Sequence, residues 1–176
     1  MKTFLLVLLT ALVSCAPEHV QYTRPQANVD FRAFKTYNFM DVSAPNGAVA
    51  QGTGIDALKQ AIRRELNRRG YQQGNNPDLW VNIGVVVQDK VQTRETTIRE
   101  APRYIGQRNY HWQSQKVVVG KYKEGTATVE IVDAAHREVV WQGAVKGILT
   151  PNPAKLTKRI DDAIAALFAK YPVPAQ

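Results

Sequence analysis

The chain has 176 residues, of which 44% are hydrophobic, 22% charged and 9% aromatic. Those proportions exclude a disordered chain, a collagen-like repeat and a polytopic membrane protein, and the length suits one domain. Lys and Arg number 23 against 15 Asp and Glu, a formal charge of +8, and the single cysteine excludes an internal disulfide and any thiolate zinc or iron–sulfur cage.

The N-terminus reads Met1-Lys2-Thr3, then an apolar run from Phe4 to Val13 broken only by Thr10. A basic start followed by about ten apolar residues is the pattern of a secretory signal peptide. The run is too short for a membrane span, which needs about 20 apolar residues. Leu12-Val13-Ser14-Cys15 follows and resembles a bacterial lipobox. There the cysteine thiol takes a diacylglyceryl group, and a small residue such as Ser14 precedes the cut. The competing reading is an ordinary free cysteine beside a plain signal peptide. Lipidation is preferred because the one cysteine stands where that chemistry requires it. The expected layout is a lipoprotein signal peptide over 1–14, a lipidated tether over 15–28 and one α+β domain over 29–176. Two or three acyl chains, at about 0.8 kcal/mol per buried methylene, anchor a protein stably. Ala16 in place of Asp after the cysteine resembles the enterobacterial signal for the outer membrane, so a periplasm-facing anchor there is expected.

Ala16 to Asn28 holds Pro17 and Pro25 and little periodicity, hence the tether. Val29, Phe31, Tyr37 and Phe39 alternate with polar residues and predict a strand over 29–40. Asp41 to Gly54 reads as loop around Pro45-Asn46-Gly47. Ile55, Leu58, Ile62 and Leu66 form one apolar stripe and predict a helix over 55–69, stopped by Gly70. Leu79, Val81, Ile83, Val85 and Val87 share a face of a strand that continues towards Thr93. The apolar pattern then fades until a strand over 117–133. A turn at 134–137 leads to a strand over 139–148, in which Val139, Trp141 and Val145 share a face. Asn152 as N-cap with Pro153 at the first helical position opens a second helix. Its stripe is Leu156, Ile160, Ile164, Leu167 and Phe168, and Tyr171-Pro172 ends it. The predicted order is β-α-β-(β)-β-β-α, an α+β fold. Its expected form is a mainly antiparallel sheet with two amphipathic helices packed on one face.

Five short motifs carry a family resemblance. They are Tyr37-Asn38-Phe39, Pro77-Asp78-Leu79, Tyr122-Lys123-Glu124-Gly125-Thr126, Val140-Trp141-Gln142-Gly143 and Tyr171-Pro172. With them the chain from Val29 to Pro172 resembles the DUF4136 family of bacterial envelope lipoproteins. The resemblance implies a small, lipid-anchored α+β domain and transfers no activity. One departure is the basic, aromatic segment before Tyr122, where the family often has Gly- and Tyr-rich sequence.

Searches for chemistry find no catalytic constellation. Gly52-Thr53-Gly54-Ile55-Asp56-Ala57 fits G-x-G-x-x-A, but a dinucleotide site needs a strand directly before it inside a parallel βαβ unit. The expected strand ends near Met40, and the strands are expected to pair mostly by hairpins, so no cofactor is expected. His19, His111 and His136 lie in tether, loop and turn with no paired spacing, so no metal is expected. Ser43 and Ser114 sit in no nucleophile elbow. Asp161 and Asp162 diverge on a helix. Asp78 and Asp133 flank strands, where Asp commonly caps turns. Trp141 is expected in the core, and Trp80 points the other way. Arg63, Arg64, Arg68 and Arg69 form a basic helical surface, either simply solvated or in contact with anionic polymer or lipid phosphate. No nucleic-acid-reading motif accompanies the high pI.

The segment from Thr93 to Lys121 is the expected interaction element. It is long for a connection, and it interleaves Tyr104, Arg108, Tyr110, His111 and Trp112, residue types enriched at binding hot spots. The alternative is an extended hairpin whose aromatics pack on one another. The function expected is a non-enzymatic, lipid-anchored envelope protein. Its domain would bind an envelope protein or an anionic polymer, with Arg64 and Arg68 as further contacts. A small-ligand carrier using a pocket between helices and sheet, or an enzyme of unknown type, is the alternative.

Overall fold

A computed structural model describes residues 19–40, 52–100 and 113–176. In chain order the elements are β1 (His19–Pro25), β2 (Thr36–Phe39), α1 (Thr53–Asn67), β3 (Gln72–Gln73), β4 (Leu79–Glu95), a 3-10 turn at Ile98–Glu100, β5 (Lys116–Asp133), β6 (Glu138–Ile148) and α2 (Pro153–Phe168). The strands form one sheet in the order β1-β6-β5-β4-β2-β3.

The fold is α+β as expected, but the sheet is mixed rather than mainly antiparallel. β1, β6, β5 and β4 pair antiparallel in turn, while β2 runs parallel to both β4 and β3. The reason is α1: it carries the chain back along the sheet, so the strands on either side of it run the same way. A parallel β2–α1–β4 unit therefore exists where the strands were expected to pair mostly by hairpins.

Two further expectations are corrected at the N-terminal side. Residues 19–25 are not tether: they form edge strand β1 on β6, with Val20 packed against the core. Pro25, which suggested a linker, closes an edge strand, a place where a missing N–H is tolerated. The strand predicted over 29–40 shrinks to Thr36–Phe39. Asp30 turns the chain instead, its Oδ1 accepting from Arg32 N at 3.0 Å. Phe31 drops from this turn into the core, edge-on to Tyr171 at 5.4 Å, so its periodicity reflected burial rather than pairing.

Each helix buries the stripe that its spacing predicts. Leu58, Ile62 and Leu66 of α1 are buried, as are Ile164, Leu167 and Phe168 of α2. Asn152 caps α2, its Oδ1 accepting from Lys155 N at 3.0 Å with Pro153 in the first turn. Gly70 follows α1 with φ +86°, the left-handed conformation that ends many helices. The stripes meet each other and the inward residues Leu79, Val81, Ile83, Val129, Ile131 and Trp141 in one core. The other face of the sheet is polar: Glu130 accepts from Asn82 at 2.9 Å and from Gln142 at 2.7 Å. Trp80, half-buried, lies on that face. A bulge re-aims the start of β6, because Ile131 faces Trp141 while Val132 faces Val139. Val139 therefore does not share the face of Trp141; it is 46% exposed, and Val140, at 3%, turns inward in its place.

Candidate functional site

Two features of the described structure are shaped for contact. The first is a two-stranded ribbon. β6 reaches only to Ile148, opposite Glu124. Beyond that rung β4 and β5 continue alone for seven cross-strand pairs, from Asp89–Lys123 to Glu95–Lys116. At about 3.4 Å per residue the ribbon projects roughly 20–24 Å past the sheet. On its other side β4 has no strand partner beyond Val81 among the described residues, and Leu149 N donates to Lys123 O at 2.8 Å at the root of the β5 edge, so beyond that bond both ribbon edges lack a strand partner among the described residues. Val91 is 55% exposed and Val118 59%. The register pairs Val118 with Thr93, two residues along from Val91, so the two valines stand on one face. The distal end is tied: Arg94 grips Glu100 with two bonds of 2.8 and 2.5 Å, and Thr96 N donates to Gln115 O at 2.9 Å. The Arg94 guanidinium, then the Thr97 N–H, hold the Glu100 carboxyl down to about 2.

The second feature is an apolar groove of about 280 Å³ between the two helices and the sheet. Its walls include Ile55 and Leu58 of α1 and Leu156, Ile160 and Ala163 of α2. Its floor is two neighbouring rungs of the sheet. One is Val85–Ala127–Val145 and the next is Val87–Gly125–Gly147. Two of the three positions in that second rung lack a side chain; Leu149 covers Gly125, and the space lies at Gly147. A Cβ on Gly147 would meet nothing within 4 Å.

The opposite end of the sheet holds the carboxylates considered as catalysts. Asp78 and Asp133 do come together there, with Leu79 opposite Asp133 and Ala134 N donating to Asp78 O at 2.9 Å. Each is occupied by a turn. Asp78 Oδ2 accepts from Lys35 N, Thr36 N and Thr36 Oγ1 at 2.8, 2.9 and 3.0 Å, and the two backbone N–H groups hold its pKa below the usual carboxylate value. Asp133 pairs with His136 Nδ1 at 2.8 Å and accepts from Ala135 N and His136 N. The His136 ring is the main cause that lowers Asp133, and Asp133 in turn raises His136. The two acids act as turn caps.

The basic helical surface is largely spent. Arg69 is not on the surface: it is buried, donating to Glu65 Oε2 at 2.7 Å and to Phe168 O at 2.6 Å, where it also ends α2. Arg68 pairs with the other oxygen of Glu65 at 3.0 Å, and Arg64 pairs with Asp161 of α2. Arg63 bonds Gln73 and lies over the Phe39 ring. These side chains tie α1 to its surroundings, while Arg64 and Arg68 stay 47% and 62% exposed. Cys15, Tyr104, Arg108, Tyr110, His111 and Trp112 lie outside the described residues. Gly52 and Gly54 line the groove, and among the described residues the strand before α1 is β2, which ends at Phe39 rather than directly before the helix. Among the described residues no group of His, Cys, Asp and Glu could hold a metal ion, and no helix is long and apolar enough to cross a membrane.

β1 was not foreseen, and a pocket between helices and sheet was expected only as the alternative, without its lining residues. The groove had one readable trace: Gly125 and Gly147, each interrupting a strand pattern. A strand-interior glycine commonly marks close approach of a ligand or another backbone.

The family described as "Domain of unknown function (DUF4136)" matches residues 21–173. The chain belongs to this family. No curated protein matches it. Among solved structures, a PDZ domain protein from Parabacteroides distasonis is similar over 88% of this chain at 17% identity and a TM-score of 0.54. The chain spans only 35% of that one, and the likeness shows the fold alone. A PelC dodecamer from Paraburkholderia phytofirmans covers 88% of this chain and 99% of its own, at 12% identity and a TM-score of 0.46. A second crystal form of PelC gives 85% and 96%, with a TM-score of 0.45. The match of the DUF4136 domain begins at residue 21, inside β1, which fits the placement of that strand in the domain.

Proposed function

We propose that this DUF4136 protein is a non-catalytic envelope lipoprotein, anchored through Cys15, whose β4–β5 ribbon binds a membrane-proximal protein. The observation that carries the reading is the ribbon itself, with its open edges and its exposed valines. An open strand edge is a template for pairing with another chain, and monomeric proteins usually shorten or cover it. The anchor would stand at the same end. His19 opens β1 opposite Lys146, near the end of β6 from which the ribbon departs. Cys15 is four residues earlier, within about 14 Å of reach. A lipid there brings the ribbon close to the bilayer. The capped state of Asp78 and Asp133 supports the absence of catalysis.

Two measurements test this. Radiolabelled palmitate should enter the wild type, and Cys15→Ser should lose both label and membrane fraction; an unmodified thiol in a soluble wild type overturns the anchor. A photoreactive residue at position 91 or 118 should form a discrete protein adduct in intact envelopes. The double change Val91→Thr and Val118→Thr, made with the crosslinker at position 117, should remove that adduct while stability holds. Adducts with lipid alone overturn the ribbon reading.

A second reading, a small-ligand carrier, is favoured by the apolar groove between helices and sheet.

A further inference from the structure

Resting on that carrier reading, we propose that the groove binds a medium-chain fatty acid, its alkyl chain along the glycine rung and its carboxylate at Arg159. The shape argues for a chain. Gly125 and Gly147 sit side by side in the register, and the floor is bare backbone at Gly147 but covered at Gly125. Leu149 bends over Gly125, its Cδ2 3.0 Å from where a Cβ would stand. At about 280 Å³ the groove lies near the small end of ligand pockets, a size that suits a single alkyl chain. The lining chemistry selects against a polar ligand: Ile55, Leu58, Val85, Val145, Leu156 and Ile160 offer only hydrocarbon.

The charge argues for an anionic head. Among the described residues no acidic residue lines the groove, and its charged members are Lys146 and Arg159. Lys146 is committed to Glu124 at 3.0 Å and belongs to the register positions that face away from the helices. Arg159 is exposed and spends one nitrogen on Ile148 O at 2.8 Å. Its remaining N–H groups have no partner among the described residues. The first turns of α1 and α2 both border the groove, through Gly54 and Leu156, and helix N-termini favour negative charge. An amphiphile with an anionic head and one alkyl chain satisfies both parts of the site.

The test uses isolated envelopes holding the full chain, photoreactive decanoate with a terminal diazirine, and peptide mapping of the label. The expected label is saturable, competed by unlabelled decanoate, and confined to peptides covering 145–149 and 156–163. Gly147→Leu places a side chain in the empty floor and should reduce it tenfold or more, while Gly147→Ala reduces it less. Thermal unfolding run in parallel checks that both variants fold. Arg159→Gln should weaken decanoate labelling about tenfold and leave a diazirine-decanol probe unchanged. Equal labelling by both probes, insensitive to Arg159, overturns the fatty acid assignment and leaves a carrier of neutral ligands. Label that does not saturate, or that persists in Gly147→Leu, overturns the groove as a ligand site altogether. Label that appears only in Cys15→Ser shows the groove filled by the chain's own anchor and likewise overturns a free fatty acid.

Discussion

Gly143 and Gly147 lie on one strand and one face, four residues apart, yet the structure assigns them opposite responses to alanine. At Gly147 the new methyl group meets nothing within 4 Å. Alanine there gains what glycine forfeits in a strand interior, about 0.5–1 kcal/mol, mostly by restricting the unfolded chain. At Gly143 a Cβ would stand 2.7 Å from Leu167 Cδ1 and 2.9 Å from the Trp141 ring. Both neighbours are fully buried, and Trp141 is itself held by Phe168 and Tyr171, each at 5.3 Å between ring centres. Neither can step aside without moving α2 or the aromatic cluster. Overpacking of this kind costs about 1–3 kcal/mol, more than the entropic gain. Urea unfolding of Gly143→Ala and Gly147→Ala should therefore move the midpoint down and up respectively, with unchanged slope. Stabilisation by both would refute the placement of α2 over β6, and destabilisation by both would refute the emptiness of the groove floor at Gly147.

Trp141→Ala should cost about 3–5 kcal/mol in the same assay. Trp141→Phe should cost clearly less, because the indole N–H is buried without a partner among the described residues and its loss forfeits no bond. Arg69→Met should destabilise by about 1–3 kcal/mol, because Glu65 Oε2 and the Phe168 carbonyl lose their donor while Arg68 keeps the other Glu65 oxygen, and adding Glu65→Leu should restore part of that loss. For the Asp133–His136 pair, the raised histidine contributes stability that is complete below its ordinary 6.5 and lost as pH rises through the folded value. The lowered Asp133 and Asp78 contribute above their ordinary 3.8 and lose it as pH falls through the folded values. An NMR titration should show the His136 midpoint falling in Asp133→Asn; an unchanged midpoint refutes the pairing.

Periodicity made legible those elements whose burial is one-sided. Helices α1 and α2 and strands β4 to β6 were readable because each has one face on the core and one on water. β1 was not, since its Pro and its polar residues suit an edge strand as well as a tether, and only the partner β6 decides between them. The parallel pairing of β2 was hidden for a related reason. Four residues carry no direction in their pattern, and the direction comes from the return path of α1. Arg69 misled because charge in the last turn of a helix normally faces water. Here the C-terminus of α2 arrives on top of it and supplies the Phe168 carbonyl. The groove was expected only as an alternative, and its lining was not legible. A pattern search registers side chains that fill a core, whereas this site arises where two strands each leave one out, and the coincidence is visible only once the register pairs Gly125 with Gly147. Each glycine alone reads as a weakened strand. Paired, they open a channel beside the end of the sheet from which the ribbon departs, so ligand site, partner site and anchor would all act at one end of the domain.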